Sequence, residues 1–378
     1  MKIGFDAKRA LNNHSGLGNY SRNLLNGLLE HFPDNDYFLF SPKADEVLFH
    51  QISDNFKPVF PDNKFSKSFH PLWRSFGIKK QLQEKRVEIY HGLSNEIPYG
   101  VHQLGIGLVV TIHDLIFLKH KVQYPFIDRS IYELKTRYAA KHADKIIAVS
   151  EETKYDLIEF YKIPERKIDV VYPLSVVSSQ LSVVGCQLSD EKRIGIDEKY
   201  SLPTKYILDV GSFFPRKNQS ILIEAFDRIK NEVEEDLVLV GGNGTMLSEI
   251  KQKVAEKKLD NRVHILTGVS NDELTTIYKA SSVFVFPSLL EGFGMPIVEA
   301  LLSKVPVIAS KGGAIEEAAG KDSLFVDPNS AEDIAEKILL VLKDEALRKN
   351  MIEAGIVHAQ TMSSKILTEK VMKVYLSV

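Results

Sequence analysis

The 378-residue chain holds one cysteine, Cys186, and one tryptophan, Trp73. A single thiol excludes an internal disulfide framework and any multi-cysteine zinc or iron–sulfur site, and it suits a reducing compartment. No apolar run reaches the ~18 residues of a membrane-crossing helix. The opening MKIGFDAKRALNN breaks its apolar run at Asp6, Lys8 and Arg9, before a secretory core can form, so the expected location is the cytoplasm. Neither sign of charge is in excess: 48 Lys and Arg against 50 Asp and Glu leave −2, which offers nucleic acid no global attraction. Any anion site must therefore be assembled locally, from a few cations and helix ends.

What the chain does have is length for two domains of roughly 150–200 residues each and a repeated alternation of short β-branched runs with amphipathic stretches. Strands are expected at residues 2–5, 37–40, 88–91, 107–112, 145–149 and 168–172, with helices at 20–32, 127–142 and 151–161 between them. The pattern fails over Ser175–Ser201, which mixes serine, glycine and charge without a sustained period, as a connector does. It resumes with strands at 206–210, 237–240, 263–266, 283–286, 305–308 and 324–326. The expected organisation is α/β throughout: a doubly wound domain over 1–175, a connector over 176–201, a second over 202–362, and a terminal helix over 363–378 that packs back on the first. Such sheets bind ligands beyond the carboxyl ends of their strands, so strand-to-helix loops are where chemistry is sought.

The densest such loop runs from Phe286 to Leu302, FPSLLEGFGMPIVEALL: a buried strand, a glycine loop, and a helix that Pro296 opens. Gly292 and Gly294 permit close backbone approach, and the free amides of a helix start favour phosphate or sugar oxygens. Glu291 precedes the helix and Glu299 lies inside it. Two carboxylates so placed can grip vicinal hydroxyls, or Glu299 can merely complement the helix dipole while Glu291 is solvated. In DVGSFFPRKN a strand ends at Gly211 and a short loop delivers Arg216 and Lys217. These cations suit a diphosphate and the charge that grows on it as it departs, although an exposed basic turn is the commoner fate of such a pair.

With these residues in hand, the chain resembles the large family of retaining glycosyltransferases that includes sucrose, glycogen-type and mannosyl transferases, the family 4 group of the GT-B class. Two glutamates separated by seven residues around a Gly-Phe-Gly loop mark that family, and Glu291 and Glu299 match the pair. The resemblance implies two Rossmann-like domains facing a central cleft, an N-terminal one for the acceptor and a C-terminal one for a nucleotide-sugar donor. It implies that Glu291 and the amides of Phe293 and Gly294 hold the transferred sugar, that Glu299 holds the ribose hydroxyls, and that Met295 lies over the diphosphate. Lys217, Arg216 and Gly211 would border the diphosphate; many relatives carry the arginine directly after the glycine, where this chain has Ser212. His113, at the end of VVTIHD, would contact the donor sugar or the acceptor, with Asp114 as a structural partner. Gly16 and Gly18, in NHSGLGNY, resemble glycines beside the donor phosphates or acceptor, and His91 is a further candidate on the acceptor side. Hexose transfer with retention is the implied reaction, with neither cofactor nor metal. The stretches GLGNYSRNLL and GSFFPRKN resemble mannosyltransferases of cell-surface polysaccharide and lipopolysaccharide assembly. GDP-mannose is therefore the expected donor and a glycan or lipid-linked molecule the expected acceptor.

Asp34-Asn-Asp36 mimics a metal-binding aspartate pair but follows Pro33 in an expected turn. From Lys57 to Arg86 cations outnumber acids, with Phe65, Phe69 and Trp73 interleaved; this suits either peripheral contact with anionic membrane or ordinary solvated helix faces. Two rival functions remain: a nucleotide-sugar 2-epimerase, which acts on the donor alone, and a two-lobed solute-binding protein.

Overall fold

The computed structural model describes residues 1–50, 52, 55–62, 73–121, 124–173, 190–242 and 244–378. The chain divides into two compact units, one of Met1–Ser175 with Met362–Val378 and the other of Val176–Thr361. The first carries seven strands: β1 (Lys2–Asp6), β2 (Asp36–Phe40), β3 (Lys57–Val59), β4 (Ile89–Gly92), β5 (Gly107–Ile112), β6 (Lys145–Ala148) and β7 (Ile168–Val170), in the order β3-β2-β1-β4-β5-β6-β7. The second carries six: β8 (Tyr206–Val210), β9 (Asp236–Val240), β10 (Val263–Leu266), β11 (Val283–Phe286), β12 (Val307–Ser310) and β13 (Leu324–Val326), in the order β10-β9-β8-β11-β12-β13. Every pairing is parallel. Helices cover both faces of such sheets, which is why strands such as VFVF at 283–286 are apolar at every position and wholly buried. The expected α/β architecture is present in both units.

Differences from the expectation have local causes. The edge strand β3 escapes the sequence because it is three residues long with Pro58 in its middle, a residue that edge strands tolerate. β12 starts at Val307 rather than Val305: Lys304 turns through the left-handed region (φ 64°) and Pro306 has no N–H to give a ladder. Part of the expected connector is a helix, Asp190–Tyr200, polar on nearly all sides, with Ile196 buried and Lys199 and Tyr200 bonded to Glu273. A helix anchored by polar ends shows little apolar period. The terminal helix, Ser364–Tyr375, belongs to the first unit; its buried face is Leu367, Val371, Met372, Val374 and Tyr375, while Ile366 and Leu376 point outward.

The basic and aromatic run also changes character. Trp73 is buried and donates to Gln81 at 3.1 Å, and Arg74 turns inward to Asp6 (2.5 Å) and Glu96. Lys80, Lys85 and Arg86 are exposed, and Lys64, Phe65, Lys67 and Phe69 lie outside the described residues. Asp34 sits in the expected turn and Asp36 opens β2, at the amino edge of the sheet, where it pairs with Lys57.

Candidate active site

In the six-stranded sheet β8 lies between β9 and β11, so successive connections leave it in opposite directions. Such a switch point opens a crevice at the carboxyl edge. The loops at this crevice are the two that carry the sequence motifs, 211–218 after β8 and 287–294 after β11. They are laced together by backbone bonds. The Leu289 amide donates to the Arg216 carbonyl at 2.8 Å, and Ser288 Oγ lies 3.0 Å from the same carbonyl. Asn218, held left-handed at φ 59°, donates its side-chain amide to the carbonyls of Pro287 (3.2 Å) and Pro328 (2.7 Å). This lacing brings three charged groups to one point. Lys217 Nζ lies 2.6 Å from Glu291 Oε1, Arg216 lies 2.5 Å from Oε2, and the Ser288 hydroxyl donates to Oε1 at 2.5 Å. The Lys217 ammonium also stands 4.9 Å from the centre of the Phe286 ring.

Burial favours the neutral acid at Glu291, yet the Lys217 and Arg216 charges beside it outweigh burial and hold its carboxyl below the usual range. Burial likewise pulls the Lys217 ammonium down from its ordinary range, against the opposing pull of the Glu291 carboxylate. Gly211 backs onto Lys217: a Cβ there would sit 3.3 Å from the lysine chain, which would have to give by a few tenths of an ångström. Gly241, in the glycine turn after β9, approaches the same loop, where a Cβ would come within 2.4 Å of the Gly211 carbonyl. Gly294 has φ 120°, closed to ordinary side chains, and delivers Met295 and Pro296 to the start of the helix Met295–Leu302. Phe293 points into the interior.

Glu299, the fifth residue of that helix, is held apart from the trio. The Tyr278 hydroxyl, from the helix Asn271–Ala280, donates to its Oε2 at 3.1 Å, and no cation pairs with it among the described residues. Burial pushes its carboxyl up to about 7. Asp209, beneath Lys217 at the end of β8, is likewise pushed up to about 7 by burial.

In the first unit His113 follows β5. Its backbone N–H donates to Asn95 Oδ1 at 2.8 Å, and its ring Nε2 lies 2.9 Å from the Leu93 carbonyl. A carbonyl only accepts, so Nε2 carries the hydrogen and Nδ1 is left as an acceptor. Burial lowers the ring to about 4, so it is neutral at ordinary pH. The ring meets Tyr20 edge-on, centroids 4.6 Å apart. Asp114 accepts from the Ile116 amide and shapes the turn. Tyr20 belongs to the helix Gly16–His31, so Gly16 and Gly18 open a helix rather than forming a loop. A Cβ on Gly18 would overlap the Asn13 carbonyl at 1.8 Å, whereas Gly16 faces open space. His91 is corrected outright: it is wholly buried, with Nδ1 2.7 Å from the Tyr375 hydroxyl and Nε2 2.8 Å from Thr111 Oγ1, and its ring has no position left for a ligand.

Ser288, Asp209, Tyr278, Asn95 and Tyr20 all shape these sites without having drawn attention in the sequence. Ser288 and Asp209 lie inside the quoted motifs and could have been found there. Tyr278 reaches Glu299 by the packing of one helix on another, and Asn95 reaches His113 through the pairing of β4 with β5.

Two family profiles match: Glycosyltransferase Family 4 over residues 14–174 and Glycosyl transferases group 1 over 192–358. The chain is 28% identical over 298 residues to the O-antigen chain mannosyltransferase B of Escherichia coli, covering 78% of this chain and 75% of that protein. It is 29% identical over 263 residues to the serotype-specific mannosyltransferase WbdA of Escherichia coli, which covers 68% of this chain but 31% of that longer protein. The crystal structure of Anabaena HepE in complex with UDP superposes with a TM-score of 0.75 over the whole of both chains at 17% identity, a likeness of fold. The family match does not favour the epimerase or solute-binding alternatives. With adjoining profiles over most of its length and two parallel-sheet units of the GT-B class, the chain belongs to the glycosyl transferases group 1, the family 4 group of glycosyltransferases.

Proposed function

We propose that the protein transfers mannose from GDP-mannose to a glycan or lipid-linked acceptor, with retention and without a metal ion. The observation that carries this reading is the convergence of Lys217, Arg216 and Glu291 at the switch point, one helix start away from Glu299. The two cations would take the donor diphosphate, Arg216 as a fork and Lys217 as a point charge, and would stabilise the charge left on it as the glycosidic bond breaks. Glu291 already accepts from Lys217, Arg216 and Ser288, which leaves about one of its four lone-pair directions for a sugar hydroxyl. Glu299 would accept from the ribose. The acceptor is assigned to the N-terminal unit, where Nδ1 of neutral His113 offers a hydrogen-bond acceptor to a hydroxyl. No carboxylate is placed as a covalent nucleophile, so a donor phosphate oxygen is the base assigned to the attacking hydroxyl. Mannose is supported by the names of the relatives, a nucleotide donor by the UDP that HepE carries, and a cytoplasmic setting by the composition. Among the described residues no three metal-ligating side chains converge, and no helix is long and apolar enough to cross a membrane.

Thermal-shift titration with GDP, UDP, ADP and their sugars, followed by product analysis with polysaccharide acceptors, tests the reading. GDP and GDP-mannose are expected to stabilise the protein most. Preference for another nucleotide rejects the donor, and turnover abolished by chelator and restored by magnesium rejects metal independence.

A further inference from the structure

The seven-stranded sheet has a switch point of its own. β1 lies between β2 and β4, so the chain leaves it toward β2 and comes back on its other side as β4. The carboxyl ends of β1 and β4 therefore bound a crevice of the kind that takes ligands in such sheets. After β1 the crevice is lined by the short helix Lys8–Asn12, and after β4 by the loop 93–100. That loop serves two ends of the site. Its Leu93 carbonyl and Asn95 side chain hold His113, while Glu96 pairs with Arg74 and, at 3.0 Å, with Lys135. Asp6, the last residue of β1, takes the other side of the Arg74 guanidinium, so this arginine is fully engaged with two acids.

Lys8 and Arg9 differ from it. Both are half-buried, and among the described residues neither side chain makes an ion pair or a hydrogen bond. The Nε of Arg9 is sealed from solvent with nothing to donate to. The acids of the surrounding segments are taken: Asp6 and Glu96 by Arg74, Asp45 by the Leu48 amide and Asp114 by the Ile116 amide. Burial, and then the Arg74 charge, pull the Lys8 ammonium down from its ordinary range, with Glu96 and Asp6 pulling the other way. The Arg9 charge bears on the His113 ring. A cation withdrawn from water without a counter-ion is unfavourable, and an anion carried in by a ligand relieves it. We propose that Lys8 and Arg9 form an anion subsite for the phosphate of a phosphorylated sugar acceptor whose attacking hydroxyl lies at His113. This rests on the transfer reaction proposed above. Arg9 can grip phosphate oxygens as a fork and Lys8 as a point charge. Only β4 separates β1 from β5, which sets the two strand ends about 10 Å apart, a span that one phosphorylated hexose covers. The donor's cations, Lys217 and Arg216, belong to the other unit.

The test is calorimetric titration of the full chain with mannose 1-phosphate, methyl mannoside and inorganic phosphate, each with the donor site filled by GDP. Mannose 1-phosphate is expected to bind about tenfold or more tightly than either of the others, because it alone offers both anion and sugar. Lys8→Gln with Arg9→Gln should weaken it about tenfold or more, and Arg9→Gln alone about threefold to fivefold. Lys8→Arg, which keeps the charge, should stay within about threefold of wild type. The GDP-induced thermal shift should be the same in every variant, and the single variants carry the test if the double one melts early. A wild type that GDP does not stabilise rejects the donor reading alone, and the same titrations in Lys217→Ala then judge the subsite by itself. No binding of mannose 1-phosphate, equal affinity for inorganic phosphate or methyl mannoside, equal affinity of the wild type and the glutamine variants, or a GDP shift lost with Lys8 and Arg9 would each overturn the proposal.

Discussion

In the C-terminal unit three charged side chains, Lys217, Arg216 and Glu291, meet within ion-pair distance at a crevice. In the N-terminal unit the groups that touch His113, the Leu93 carbonyl, Asn95 and Tyr20, are uncharged, and the Arg9 charge nearby adds to burial in keeping the ring neutral. Tyr20 bonds Thr111 at 2.9 Å, Thr111 bonds His91, His91 bonds Tyr375, and burial drives the His91 ring down to about 3, so it is neutral too. Both assemblies sit where parallel strands end, yet one stores electrostatic potential and the other fixes shape. The contrast fits a division of labour in which the departing diphosphate needs charge and an incoming hydroxyl needs an oriented acceptor.

The sharpest way to break this comparison is Lys217→Ala. If charge at the crevice stabilises the leaving group, turnover falls by ~10²–10³, and Lys217→Arg restores part of it. Activity within about threefold of wild type, measured on folded protein, would remove the lysine from the chemistry. His113→Ala ranks next, with an expected loss of ~10–10² in turnover. The neutrality of His113 can be checked independently: no inflection between pH 5 and 8 should be traceable to it, because its ring titrates near 4.

Glu299 sharpens the comparison through pH. Its carboxyl titrates near 7, so it is largely protonated at pH 6 and largely a carboxylate at pH 8. If Glu299 holds the ribose, whose hydroxyls would donate to its carboxylate, nucleoside diphosphate affinity should rise across that window, and Glu299→Gln should flatten the rise in calorimetric titrations. Stability runs the other way: the folded state keeps this proton to higher pH than the unfolded chain, so the glutamate's contribution falls as pH climbs from about 4.3 toward 7. The smallest effect is expected from Tyr375→Phe, which removes one buried hydrogen bond at a cost of about 1 kcal/mol. Melting should register it while turnover stays within about twofold; a large loss of turnover at unchanged stability would make the neutral network part of the catalytic apparatus.

The alternation of apolar runs with amphipathic segments determined both sheets, because a parallel strand buried on two faces must be apolar at every position. The loops that bear Arg216, Lys217, Glu291 and Glu299 were equally legible, since glycine and proline punctuate a strand-to-helix turn within a dozen residues. Pairing across the sheet was not legible. The histidines in IYHG and TIHD both end a buried strand, and only tertiary packing makes His91 a sealed link to Tyr375 and turns His113 to the Leu93 carbonyl and the Tyr20 ring. Likewise Tyr278 reaches Glu299, and Arg216 reaches Glu291, through contacts that no local pattern encodes. Helical spacing located the helix Phe126–His142, but which of its turns stays uncovered depended on the neighbours that pack against it. Local sequence constrains backbone geometry within a few residues, whereas a side chain's charge state and partners are settled by groups far along the chain that folding brings beside it.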